Sequence, residues 1–243
     1  MKKTAVVSIA QAPHPEQILG IFNDFTLEVC MNESSKNVAF QIRYCANLET
    51  TGIQENEGNL LYDSNDFLPY TRIFLVWYQG RAVATLRSCA YAERYDWYAT
   101  EATNYFQSEL DQQLGCNTSL LEANRFAVLP EFQGSHSLFA CKLLFRAHAM
   151  NAAVHRSEYI VHLVRLRHQA FYKRFFGMEV IARGRYFIKW AQVYADSVLL
   201  AQKSELALST ILKRGMPAFD QHDIDQYIRI AELASPNRQR LAA

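Results

Sequence analysis

Cysteine is scarce and poorly arranged for cross-linking: the five in 243 residues, at positions 30, 45, 89, 116 and 141, are odd in number and include no C-x-x-C pair. That excludes a disulfide framework and fits reduced thiols in a cytoplasmic protein. Long hydrophobic runs are missing as well; none approaches the roughly eighteen residues of a membrane span. The start imitates a secretory signal, with Lys2-Lys3, a short apolar stretch and Ala10-Gln11-Ala12. At about a dozen residues it falls short of the usual 15 to 30. Net charge is almost absent, +1 at pH 7, which argues against a general polyanion binder, and no motif for reading nucleic acid appears. H-E-x-x-H and G-x-S-x-G are both lacking. His136, His148, His155, His162 and His168 therefore form no familiar metal site, and there is no serine-hydrolase elbow. Neither an internal repeat nor a low-complexity segment is present.

What is there is an apolar half, enough for one sizeable core or one core with a small appendage. Charge is unevenly laid out along the chain. Between Glu49 and Glu122 eleven acidic residues face four basic ones, whereas from Arg125 to Lys189 eleven basic residues face three acidic ones. Such a split predicts an acidic partner for the second half.

Hydrophobic spacing predicts a helix opening at Pro15 and carrying Ile18, Ile21, Phe22, Phe25 and Val29. A second follows over about Val38 to Leu48, then a polar loop from Thr50 to Pro69. Thr71 to Tyr78 and Arg81 to Tyr91 read as strands joined at Gln79-Gly80. Glu101 to Leu114 reads as a helix stopped by Gly115. The centre of the chain runs from Leu120 to Gly177. It comprises a strand to Val128 ended by Pro130, a loop around Gly134, a helix from about Leu138 to Val154, a β-rich run from Tyr159 to Leu166, and a short helix closed by Gly177. A strand, a glycine loop at a helix start and a second strand point to acyl-group or phosphate handling. Met178 to Ala182 and Arg185 to Val193 read as a closing antiparallel pair, and Ser197 to Lys213 and Asp220 to Leu233 as a helical hairpin.

The central residues carry a resemblance. Glu122, Arg125 and the Val128-Leu129-Pro130 end, with the loop around Gly134, resemble the E-x-x-R-x-x-V-x-P core of one GNAT-superfamily branch. That branch holds the N-acyl amino acid synthases and, more remotely, the acyl-homoserine lactone synthases. Phe171 to Gly177 is similar to the superfamily's F-Y-x-R-x-G-F helix. Arg43-Tyr44-Cys45 through Glu49, the Tyr62-Asp63 pair and Val83 to Arg87 fall in the family's order, so the resemblance spans about residues 37 to 190. It implies an α/β (α+β) fold of GNAT type over residues 1–194, with a mixed, mostly antiparallel sheet flanked by helices. The helical extension, residues 195–243, would pack on the core or on a partner subunit of a homodimer. The implied activity is transfer of a long-chain acyl group from a thioester to the amine of an amino acid or similar small amine. Two other readings stay open: an N-acetyltransferase using acetyl or acyl coenzyme A, and a catalytically silent module that binds an acyl ligand or a partner.

The resemblance also assigns roles. Glu122 would accept the amine proton, Arg125 would contact a carboxylate or other anion, and Tyr172 would protonate the departing sulfur. Backbone N–H groups near Phe126 to Val128 would meet the thioester carbonyl. Arg43, Glu49, Asp63 and Arg87 would border the acceptor. The competing interpretation makes Glu122 and Arg125 a buried pair that only fixes the core. Three residues apart, they fall on opposite faces of an ideal strand, and a bulge is needed to bring them together. At the loop, Gln133, Gly134 and Ser135 lie where coenzyme A enzymes carry R/Q-x-x-G-x-G/A, flanked here by Glu131 and His136, which disfavour a pyrophosphate. The expected donor is therefore acyl-phosphopantetheine on an acyl carrier protein, ahead of acyl-CoA, with Lys142, Arg146 and Arg156 meeting the acidic carrier. No metal and no tightly bound cofactor are expected.

Overall fold

A computed structural model describes residues 12–50, 53–92, 97–98, 101–188 and 193–233. In chain order these form β1 (Ile18–Phe22), β2 (Phe25–Val29), α1 (Glu33–Thr50), β3 (Thr71–Tyr78), β4 (Arg81–Ala92), β5 (Trp97–Tyr98), α2 (Glu101–Leu114), β6 (Leu120–Val128), α3 (Ser135–His155), β7 (Tyr159–Arg165), α4 (Gln169–Phe176), β8 (Glu179–Ile188), β9 (Val193–Lys203), α5 (Ser204–Lys213) and α6 (Gln221–Leu233). One sheet takes the strands in the order β1-β2-β3-β4-β6-β7-β9-β8, with β5 attached to β4. Every pairing is antiparallel except β6 with β7. The β3–β4 turn follows from Gln79 and Gly80, both at positive φ (48° and 77°), the geometry of a type I′ hairpin.

Helices cover both faces. On one, α1 packs over Ile73, Leu75 and Trp77, and α2 packs over Val161, Leu163 and Leu199. On the other, α3 supplies Leu143, Leu144, Phe145 and Met150 to the main core, each side chain contributing about 1.5–3 kcal/mol by burial. Ala207 and Ile211 of α5 and Tyr227 and Ile230 of α6 join that same core. No helix among the described residues is long and apolar enough to cross a membrane.

Three expected elements differ. The helix expected from Pro15 is a short 3₁₀ turn, Pro15–Gln17, followed by the β1–β2 hairpin, which turns at Asn23 with φ 53°. Phe25, Leu27 and Val29 face the main core at a period of two, and five residues of β2 pair with β3. That long-range ladder overrides the helical spacing. The helix expected over Ser197–Lys213 begins only at Ser204, because Val193–Lys203 is β9, held between β7 and β8. Val198 and Leu200 belong to one core and Leu199 and Ala201 to the other. A strand buried on both faces loses the alternation that separates strand from helix. Likewise the closing pair expected within residues 178–193 is the single strand β8 against β9, and β9 runs through residue 195, where the sequence reading divided the chain.

Between α3 and the sheet lies a line of buried polar groups. The Tyr227 hydroxyl donates to Asn151 Oδ1 (2.6 Å), Asn151 Nδ2 donates to Ser88 Oγ (2.8 Å), and Ser88 Oγ shares a 2.8 Å hydrogen bond with His148 Nδ1. His162 lies beyond, its ring 5.6 Å from that of His148. Burial depresses both imidazoles, His162 to about 3. Burial lifts Glu28 and Glu122 to about 7.

These shifts set the acid response, together with His155, which burial also depresses to about 3. Unfolded, the three histidines protonate near pH 6.5 and the two glutamates near 4.5. Between those values the unfolded chain carries three histidine protons and the folded chain two glutamate protons, so stability falls gently, by about 1.4 kcal/mol per pH unit. Below about pH 4.5 the glutamates are protonated in both states while only the unfolded histidines are charged. Stability then falls by about 4 kcal/mol per pH unit until about pH 3. Urea unfolding from pH 7 to 3 should show a shallow decline and then a steep drop whose slope is cut by about a third by His162→Phe. A single even slope from pH 7 to 3 would contradict it.

Candidate active site

β6 and β7 pair over three residues only, Leu120 to Glu122 with Tyr159 to Val161, and then diverge. β6 carries its own reason for leaving. Thr85 of β4 faces Ala127 while Arg87 faces Asn124, so β6 has one extra residue there, and Arg125 sits in the left-handed region at φ 51°. This is a β-bulge, which bends its strand and re-aims a side chain. Between the diverging strands opens a cavity of about 660 Å³, within the range of small-ligand sites. Arg43, Asn47, Glu101, Asn124, Arg125 and Tyr186 line it from the α1 and α2 face, and Gln133, Ser137, Cys141, Phe171 and Tyr172 from the α3 and α4 elements. Arg165, Arg167 and His168 lie where β7 ends.

The bulge puts Arg125 on the same face as Arg87 and Asn124, where three guanidiniums meet three carboxylates. Asp63 receives Arg87 Nη1 at 2.6 Å and Arg125 Nη2 at 2.5 Å. Asp66 receives Arg43 Nη1 at 2.7 Å and Arg87 Nη1 at 3.2 Å. Glu101 Oε1 lies 3.0 Å from Arg125 and 3.6 Å from Arg87, and Arg87 Nε donates to Asn124 Oδ1 at 2.7 Å. Asp63 and Asp66 reach this cluster because they cap one 3₁₀ turn, Ser64–Phe67, reciprocally. Burial alone would raise the Asp63 carboxyl, but the charges and hydrogen bonds of Arg87 and Arg125 outweigh it and hold it down to about 2.

Glu122 is fully buried under the start of α2, where its Oε2 accepts from the Ala102 N–H (2.9 Å). Burial first, and the charge of Glu101 second, push it up to about 7 against that hydrogen bond. The Asn124 side chain also hydrogen-bonds to Glu122, and Nε and Nη2 of Arg43 have no hydrogen-bond partner among the described residues. Arg43 lines the cavity, and buried donors of this kind favour an occupant that accepts hydrogen bonds.

Of the residues singled out from sequence, Arg43, Arg125, Phe126, Val128, Gln133 and Tyr172 line the cavity. Asp63 and Arg87 stand behind it in the ion cluster, and Glu122 stands behind Glu101. Gly134 begins α3 at φ 147° with open space where a side chain would project. The side chains of Glu49 and Ser135 lie outside the described residues. Tyr172 projects inward from α4, its ring 4.7 Å from His162 and 5.8 Å from Phe176. Burial raises its phenol pKa, so it stays protonated at neutral pH.

The cationic face assigned to α3 is corrected. Arg146 is 2% exposed, pairs with Asp223 of α6 at 2.8 Å, and lies over the rings of Phe22 and Phe219. The acidic surface it meets is the chain's own last helix, and the Lys142 ammonium lies beside Gly215, in the turn after α5. Arg156 caps the far end of the 21-residue α3, about 30 Å from the loop at Gly134. The two flanking residues expected to crowd a pyrophosphate are also turned aside. Glu131 pairs with Arg81, and the His136 ring packs 5.1 Å from Tyr78.

Sequence reasoning missed Glu101, Asn124, Tyr186 and the Arg165-Arg167-His168 group. An acid in the first turn of an amphipathic helix looks like an ordinary partner of the helix dipole, so Glu101 gave no separate signal. The last group was visible only as part of a basic half.

The family model for "N-acyl amino acid synthase FeeM" matches residues 38–201. No curated protein matches the chain in sequence. The solved structure of FeeM, an N-acyl amino acid synthase from uncultured soil microbes, is similar with a TM-score of 0.61 at 15% identity, over 80% of this chain and 98% of that one. The AHL synthase LasI gives 0.54 at 17%, over 81% and 97%. The CoA-dependent acyl-homoserine lactone synthase BjaI, solved with SAM and isopentyl-CoA, gives 0.52 at 13%, over 82% and 93%. These likenesses carry the fold, a GNAT-type mixed sheet opened between two central strands.

Proposed function

The chain belongs to the N-acyl amino acid synthase FeeM family and is an acyltransferase, and from that premise we propose that it joins a long-chain fatty acyl group to the amine of an amino acid. The donor in this reading is an acyl carrier protein thioester, and the enzyme works in the cytoplasm, which suits its five free cysteines. One observation carries the proposal: a single cavity has an arginine–carboxylate cluster on one side and a half-buried phenol on the other.

The acceptor's carboxylate would sit against Arg43, whose Nε and Nη2 atoms have no hydrogen-bond partner among the described residues, and its amine against Glu101. The amine nitrogen attacks the thioester carbon as the carbon–sulfur bond breaks. The Glu101 and Glu122 pair takes up the proton lost by nitrogen, Glu122 being poised near neutrality by burial. Past Glu122 the β7-facing edge of β6 has no strand partner, which supplies N–H groups for the oxyanion. Tyr172 gives its proton to the departing sulfur.

The test is to incubate the purified chain with acyl thioesters and single amino acids and to look for amide products by mass spectrometry, following thiol release. Tyr172→Phe should slow alkyl thioesters at least about tenfold while leaving aryl thioesters, whose thiolates leave unaided, near the wild-type rate. Equal slowing of both would remove Tyr172 from the acid role. A second donor reading, coenzyme A, is favoured by the open backbone at Gly134 and predicts equal efficiency with acyl-CoA and acyl-carrier donors.

A further inference from the structure

His162 is wholly buried against Phe145 and Phe176 of the main core, outside the cavity wall, and the reaction described above leaves it unused. Its place in the fold is specific. β6 and β7 part after Glu122 and Val161, so His162 is the first residue of β7 past their pairing. The residue level with it on β6 is Ala123, whose backbone hydrogen-bonds to the His162 ring. That bond favours the protonated imidazole, so the acceptor is the Ala123 carbonyl. The same ring lies 4.7 Å from the ring of Tyr172, at 42° to it. Phe176 stacks on Tyr172 at 5.8 Å and 16° and packs 5.3 Å from His162. Leucine or phenylalanine would fill such a place without the cost of burying a polar ring.

We propose that His162 is a positioning residue: lodged between the Ala123 carbonyl and the Tyr172 ring, it sets where the phenol sits relative to β6. The need comes from the divergence of the strands. In the reaction proposed above the oxyanion is met by N–H groups of β6, whereas the proton for sulfur comes from α4, the helix that follows β7. No strand pairing joins β6 to β7 beyond Glu122 and Val161. A buried ring that touches a β6 carbonyl on one side and the phenol ring on the other supplies the missing spacing. Misplacing a reacting group by about 1 Å can cost about 100-fold in rate. The inference rests on the acid role of Tyr172 and adds what aims it.

The experiment measures kcat and KM with one acyl group on pantetheine, an alkyl thiol, and on thiophenol, an aryl thiol, for wild type, His162→Phe, Tyr172→Phe and the double variant. His162→Phe keeps a ring against Tyr172 and offers nothing to the Ala123 carbonyl. It should lower kcat on the pantetheine thioester about fivefold with KM within about twofold, and leave the thiophenol ester within about twofold. Added to Tyr172→Phe it should cost less than about twofold more, because the two act through one phenol. One of His162→Asn and His162→Gln, whichever amide reaches the carbonyl, should recover most of the loss. Should the larger ring prevent folding, His162→Leu bears the same comparison. Equal slowing of both thioesters by the His162 variant, or a loss that adds in full to that of Tyr172→Phe, marks a core residue only and overturns the proposal. Wild-type kinetics on pantetheine, or failure of both amides to recover them, overturns it as well. Tyr172→Phe slowing both thioesters alike overturns instead the acid role beneath it.

Discussion

Replacing Glu101 by glutamine is expected to lower kcat/KM about 10³-fold and to shift the acid limb of its pH profile downward. The first effect comes from position: Glu101 is the carboxylate at the cavity wall, 3.0 Å from Arg125, and general-base contributions run from about 10² to 10⁴. The second comes from its neighbour. The negative charge of Glu101 is, after burial, the largest influence raising Glu122 to about 7. Removing it makes the Glu122 carboxylate easier to form, so whatever activity remains should survive to lower pH than in the wild type. Glu122→Gln should abolish that limb. A Glu101→Gln enzyme with wild-type kcat/KM would show that the amine does not pass this residue, and an unmoved limb would show that Glu122 is not the titrating group.

Arg87→Met should cost about 3–5 kcal/mol, the usual penalty for breaking a buried ion pair from one side. Arg87 is wholly buried and touches Asp63, Asp66, Glu101 and Asn124 at once. Without it the wholly buried Asp66 keeps a single cation, Arg43, beside the Asp63 backbone N–H. For a chain of this length the loss corresponds to a fall of about 10 °C in Tm. Adding Asp66→Leu should deepen the loss, since it leaves the wholly buried Arg43 without the carboxylate it pairs with. A loss under about 1 kcal/mol in denaturant melts would mean the cluster relaxes onto solvent and stores no such energy.

Much of this was written locally. The β3–β4 hairpin could be read because Gln79-Gly80 demands one turn type, and α2 because Tyr105, Phe106 and Leu110 share a face before Gly115. The E-x-x-R spacing stated its own requirement for a bulge, and Arg125 at φ 51° supplies it. What could not be read depended on distant partners. β2 is a strand because β3 lies beside it, β9 because two strands flank it, and Arg146 is structural because a helix some seventy residues later lays Asp223 against it. A cation on a helix looks the same in sequence whether water or another helix covers it.

The three-residue contact between β6 and β7 has a mechanical meaning. β1 to β4 with β6 make one stiff leaf, and β7, β9 and β8 make another, each stitched by long ladders. The seam joining them is less than half as long as the ladders on either side of it. A wedge-shaped guest lodged between the leaves works against that short hinge and the helices laid across it, so the opening angle yields before either leaf deforms. The gape of this enzyme is therefore an elastic variable, and its compliance is set at Leu120 to Glu122 and Tyr159 to Val161.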